Sequence, residues 1–208
     1  MSSVLPTFHK TYIAPFLKDQ GFIRQGTSYY RQRGDIIDCI NFQGSRYNSD
    51  RDDIAYYINC CMDSVELRAD DNTRPKYYTM LYYRRHNDIT GDQKPQQLLA
   101  SQGVLLDQSK CFAELETELT TIIAHFDTIR TTLELILQAT RVNYLAGYEV
   151  ICDYLVRTHQ IDILRKYIDT LRERFIDDDR WPFFAERIRH IIGDYAHTIP
   201  FVNLLTDK

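Results

Sequence analysis

Asn41, Gln43 and Ser45 stand at every second position of one segment, and Asn59 is the lone polar residue among Ala55, Tyr57 and Cys61 further along. Extended backbone sends alternate side chains to the same face. Carboxamides spaced by two therefore form a row able to hydrogen-bond a ligand or another peptide backbone. Buried amides must also find partners, so the same row can instead close on itself. A second set, Arg31, Arg33, Arg46, Arg84 and Arg85, lies near Tyr29, Tyr30, Tyr82 and Tyr83. Arginine mixed with aromatic residues is the composition of protein interfaces and of single-strand nucleic acid sites. At a solvated sheet edge the same charges would discourage edge-to-edge pairing. His86 with Asp88 is the one histidine–carboxylate proximity in this half of the chain, and it has no nucleophile at recognisable spacing.

Other chemistry has little support. No glycine-rich phosphate loop, dinucleotide fingerprint or nucleophile elbow occurs. His9, His86, His125, His159, His190 and His197 are dispersed, with no pair spaced as in a helical zinc site. The five cysteines (Cys39, Cys60, Cys61, Cys111 and Cys152) include no C-x-x-C pair, and read as reduced, packed thiols. Asp52-Asp53, Asp70-Asp71 and Asp177-Asp178-Asp179 read as solvated loops or helix starts, where negative charge suits the helix dipole. The sequence thus calls for no metal and no cofactor.

The elements that must position these residues follow from periodicity. Phe8, Tyr12, Ile13, Phe16 and Leu17 make one stripe of a helix over 7–20, with Thr7 as its cap, Gly21 as a left-handed stop and Pro15 as a kink. The period then becomes two. One strand ends at Tyr29-Tyr30-Arg31, a turn at Arg33-Gly34-Asp35 leads into a second over 36–43, and a third spans 54–62 with Ile54, Tyr56, Ile58, Cys60 and Met62 on one face. The tyrosine-rich stretch 76–85 makes a fourth. Residues 87–106, with Gly91, Pro95 and Gly103, read as a long connection holding a short helix at 96–100. Beyond it, Phe112, Leu115, Leu119, Ile122, Phe126, Ile129, Leu133 and Ile136 mark one long helix or two successive ones, interrupted near Thr131-Thr132. Three shorter amphipathic helices follow, carrying Tyr144 to Leu155, Leu164 to Phe175 and Trp181 to Tyr195. The expected fold is α+β: an N-terminal helix on a mostly antiparallel four-stranded sheet (1–106), then a bundle of four to five helices (107–208) packed on it.

Phe16-Leu17-Lys18-Asp19-Gln20-Gly21-Phe22, then Tyr29-Tyr30-Arg31, then Ile40-Asn41-Phe42-Gln43-Gly44-Ser45 resemble the succession of motifs in a bacterial family of domains of unknown function, number 4304. The resemblance runs over roughly residues 7–62. It implies a fold and a bacterial setting, and brings no activity with it.

Composition supplies the rest. The formal net charge is −4, and the acidity is uneven: residues 1–106 carry 13 basic and 12 acidic side chains, residues 107–208 carry 12 and 17. Nothing global pulls the chain toward nucleic acid or a membrane. The N-terminus lacks a basic segment followed by an apolar run, and no stretch is apolar enough to span a bilayer, so a cytoplasmic protein is expected. With 15 tyrosines, which supply contact area at low entropic cost, the leading expectation is a non-enzymatic protein-binding domain. Its site is drawn from Asn41, Gln43, Ser45, Asn59, Arg31, Arg46, Arg84, Arg85 and His86. Its most concrete form is an immunity or antitoxin-like protein that blocks a basic toxin by direct binding. The alternative is an enzyme acting on a small molecule or nucleotide, with Asn41, Gln43, Arg84 and His86 lining a pocket.

Overall fold

In the computed structural model, which describes residues 4–46, 48, 53–68, 75–92, 97–102, 104–142 and 147–193, Pro15 sets the form of the first helix. Helices α1 (Val4–Phe8) and α2 (Ala14–Asp19) are joined without a gap by a π-helical turn at His9–Ile13. Proline lacks an N–H, and its ring collides with the carbonyl four residues back. Widening the preceding turn by one residue relieves both, and the Ala14 N–H duly donates to the carbonyl of His9, five residues back. The helix starts earlier than expected, so Thr7 lies inside α1 instead of capping it. Gly21, at φ +83°, ends it, and Phe8, Ile13 and Leu17 form its buried stripe.

The sheet has seven strands among the described residues: β1 (Ile23–Gln25), β2 (Ser28–Arg33), β3 (Ile36–Gly44), β4 (Ile54–Ser64), β5 (Tyr82–Arg85), β6 (Gln97–Ser101) and β7 (Val104–Leu105). All pairings are antiparallel, in the order β1-β2-β3-β4-β6-β7, with β5 also on β4. One edge of β4 is taken by β3; the other is shared, β5 pairing with residues 59–62 and β6 with residues 54–56. The α+β class holds, and the count of four strands is corrected. Within 76–85 only the last four residues form a strand, while Tyr77–Thr79 form a 3₁₀ turn. Strand preference reports fit to a pleated, half-buried surface, and Tyr78, 61% exposed, has no such surface beneath it. Residues 97–101 are β6 and not a helix: Gln-Leu-Leu-Ala favours helix weakly, and pairing with β4, which buries Leu99 and Ala100, overrides that preference.

Helices α4 (Gln108–Asp127) and α5 (Thr132–Val142) follow the short α3 (Asn87–Thr90) and are separated where Thr131-Thr132 indicates. The break is built by caps. Thr131 Oγ1 accepts from the Glu134 N–H while Glu134 Oε2 accepts from the Thr131 N–H, a reciprocal capping box.

By internal packing the chain divides into Met1–Leu135 and Ile136–Lys208. The division falls inside α5, beyond the connection at 106, because α4 is tied to the sheet. Arg33 Nη2 donates to the Phe126 and Ile129 carbonyls, Tyr82 Oη meets His125 Nε2 at 3.1 Å, and Gln97 donates to Glu118. In the second unit, α6 (Tyr148–Arg157) packs on both α7 (Ile161–Phe175) and α8 (Trp181–Gly193), burying Ile151, Leu155, Leu164, Ile168 and Ile188. Asp178, in the acidic triplet, accepts from the Arg180 N–H and guanidinium just ahead of α8; these bonds hold its carboxyl down at about 2. Asp52, Asp70, Asp71, Tyr144, Tyr195 and His197 lie outside the described residues.

Candidate functional site

Cross-strand partners share a face, and the register therefore sorts the residues of interest. Ile40, Cys60 and Arg84 lie on one face, with Phe42, Ile58 and Met62; Asn41, Asn59 and Arg85 lie on the other, with Gln43 opposite Tyr57. The first face is the core. There Phe42 packs its ring against His9, Tyr29 and Tyr56, and Phe8 packs on Tyr56.

On the second face the amides meet. Asn59 Nδ2 donates to Asn41 Oδ1 at 2.9 Å and to Gln43 Oε1 at 3.3 Å, and Asn59 Oδ1 accepts from the Tyr83 hydroxyl at 2.7 Å. Asn41 Nδ2 donates in turn to Ser28 Oγ at 2.8 Å and Thr27 Oγ1 at 3.3 Å. Both protons of each asparagine amide are thus used within a row that crosses β2, β3, β4 and β5. Asn41 and Asn59 are buried, and their bonding is internal. Asn59→Ala is expected to cost about 1–3 kcal/mol, because the buried Asn41 carbonyl oxygen loses its donor. Urea unfolding measures this, and a loss below ~0.5 kcal/mol would mean that the row is not fixed as described.

At the open end of the row the side chains reach the surface. Gln43 is exposed, and Tyr57 and Arg85 are half-buried. The Arg85 guanidinium lies 4.6 Å from the centroid of the Tyr57 ring, and its Nη1 is 3.5 Å from Gln43 Oε1. A stacked arginine on a tyrosine, with an amide beside it, presents donors, an acceptor and apolar surface from positions that the strands already fix. Beyond it, the Ser45 N–H donates to the Ala55 carbonyl, and Arg46 is exposed. Behind the row, on the same face, Tyr30, Cys39, Cys61 and Met80 form a small apolar cluster with Ile37, Tyr77 and Tyr83 packed against it. Burial pushes the Cys61 thiol and the Tyr83 hydroxyl up, which suits packing and hydrogen-bond donation.

Arg31 belongs elsewhere. It and Arg33 converge on Asp38, a fully buried carboxylate on the core face, and Arg31 Nη2 also reaches Asp127 at the end of α4 at 2.7 Å. With Arg33 on the Phe126 carbonyl of α4 and the Ile129 carbonyl just past it, this network joins the β2–β3 hairpin to the helix C-terminus, where positive charge is favoured. Arg84 stands 3.7 Å from Asp88 on the core-facing side of β5. Asn41 and Gln43 therefore do not converge with Arg84, and the four residues suggested as a pocket lining are divided between the two faces.

His86, the residue after β5, is fully buried, and its N–H donates to the Ile58 carbonyl. Its side chain meets no member of the amide row in these contacts. Nε2 instead stands 3.5 Å from Glu118 Oε2 on α4 and 3.4 Å from Gln97 Nε2, and Asp92 lies close by. Burial lowers its pKa, opposed by the Asp92 charge. Sequence spacing singles out Asp88 as its carboxylate and misses Glu118, Asp92 and Gln97. Glu118 is next to Leu119 beside the apolar stripe of α4, and only the packing of that helix could reveal it.

No curated protein and no solved structure matches the chain. No helix among the described residues is long and apolar enough to cross a membrane. The motifs noted in the first strands reach further than residues 7–62: the family model described as a domain of unknown function (DUF4304) matches residues 13–186, sheet and helices alike, and the chain belongs to that family.

Proposed function

We propose that the chain is a non-enzymatic protein-binding domain, and that its contact surface is the open end of the second sheet face around Tyr57, Arg85 and Gln43. The observation that carries this reading is the Arg85–Tyr57 stack, seated beside a hydrogen-bonded amide row. Tyrosine and arginine are the residue types on which binding energy concentrates. Side chains held in place before contact also lose less entropy on binding. Arg85 with Gln43 can receive a carboxylate or a backbone carbonyl, while Tyr57 supplies apolar area.

In its most specific form the reading is an immunity or antitoxin-like protein that neutralises a toxin by direct binding. Co-expression with the products of neighbouring genes tests it. A complex that survives gel filtration with wild-type protein and is lost with Arg85→Ala supports the reading; failure of every neighbouring product to co-purify overturns it.

A further inference from the structure

The cluster at His86 belongs to no part of the binding surface just described. One ligand atom each from His86, Asp92 and Glu118 lies within 4.8 Å of the other two. The positions follow from the chain. His86 is pinned at the end of β5 by its N–H on Ile58; α3 runs directly from it; and Gly91, at φ +76° with its N–H on the Asn87 carbonyl, turns the backbone so that Asp92 returns beside the imidazole. Glu118 is delivered from the middle of α4, against which α3 packs.

We propose that His86, Asp92 and Glu118 bind a divalent transition cation of the zinc type. Two carboxylates balance its charge, and the imidazole offers a ring nitrogen. One nitrogen and two oxygens suit zinc, whereas magnesium and calcium take oxygen ligands. The His86 Nε2 to Glu118 Oε2 separation of 3.5 Å is close to the edge of about 3.3 Å spanned by two ligands of a tetrahedral zinc ion. A second observation marks where positive charge is wanted. Gln97 Nε2 donates to both oxygens of Glu118, at 2.8 and 2.9 Å, and lies 3.4 Å from His86 Nε2. The electropositive edge of that amide thus sits between carboxylate and imidazole, as a cation would. Three protein ligands leave a fourth position for water or for the Gln97 carbonyl oxygen after the amide turns over.

Calorimetric titration of the full, tag-free chain with zinc chloride, and separately with magnesium chloride, tests the site. His86 is buried, so its replacement risks the fold; Glu118→Gln and Asp92→Asn, checked by circular dichroism, carry the test. The expected result is one zinc ion per chain that magnesium does not match, with affinity reduced at least about tenfold in each variant. Zinc should also raise the unfolding temperature of wild type and leave the double variant unmoved. Absence of zinc binding, equal affinity for magnesium, or zinc binding that both variants retain in full would each overturn the proposal, the last by assigning the metal to other histidines.

Discussion

Asp38→Ala is expected to destabilise the protein by about 3–5 kcal/mol, the cost of removing one partner from a buried ion pair. Asp38 is inaccessible to solvent and accepts from Arg31 Nε at 2.9 Å and from Arg33 Nε and Nη2 at 2.7 and 2.8 Å. Without it two guanidinium groups, 13% and 21% exposed, retain, among the described residues, Asp127 as their charged partner, itself half in solvent. The effect extends beyond the pair, because Arg33 also closes the C-terminus of α4 through the Phe126 and Ile129 carbonyls. Urea unfolding reads the loss. The double variant Asp38→Ala/Arg33→Ala should lose less than the two single losses together, since groups in one network couple. A cost for Asp38→Ala below about 1 kcal/mol, the range of exposed pairs, would contradict the arrangement.

Acidification should weaken the fold through His9. This side chain is buried in the π-helical turn, stacked on Tyr29 and edge-on to Phe42; its Nδ1 meets the Tyr29 hydroxyl at 3.2 Å, and its Nε2 has no hydrogen-bond partner. Burial, aided by the Arg24 charge, holds its pKa down at about 4 against 6.5. Between these values the unfolded chain binds a proton that the folded one refuses. The contribution is therefore complete above pH 6.5 and is lost as pH falls toward 4, in an amount of order 3 kcal/mol. His125, lowered by burial, acts in the same direction, whereas Asp63, raised by burial against the pull of Arg68, acts in the opposite one. In His9→Phe the decline between pH 7 and 4.5 should shrink, even though loss of the Tyr29 partner lowers stability at every pH. Equal urea-midpoint shifts in wild type and variant would contradict the buried neutral imidazole.

The sheet was legible wherever one side of a strand is uniformly apolar. Ile54, Tyr56, Ile58, Cys60 and Met62 keep one side of β4 apolar, and the Arg33-Gly34-Asp35 turn fixes the β2–β3 hairpin. The short strands are not legible because their sequences favour no particular pairing: β6 exists by using the edge of β4 that β5 leaves open, and β7 by pairing with β6. The amide row was readable in position, since Asn41, Gln43 and Asn59 obey the two-residue period, but the register that aligns Asn41 with Asn59 and Arg85 depends on long-range pairing. Asp38 carries a readable signal. A carboxylate in alternation with Ile36, Ile40 and Phe42 is a buried charge, and a buried charge requires a cation. The grouping of His86 with Glu118 joins residues 32 apart in sequence, and no local pattern encodes it.

The measurement that bears most directly on function is the affinity of the co-purified partner for wild type, Tyr57→Ala and Arg85→Ala, each variant confirmed as folded by its urea midpoint. Truncating an anchor at the centre of an interface costs about 2 kcal/mol or more. Both variants should therefore bind roughly 30-fold or more weakly. Affinity left intact by both substitutions would place the contact surface elsewhere on the protein and contradict the account.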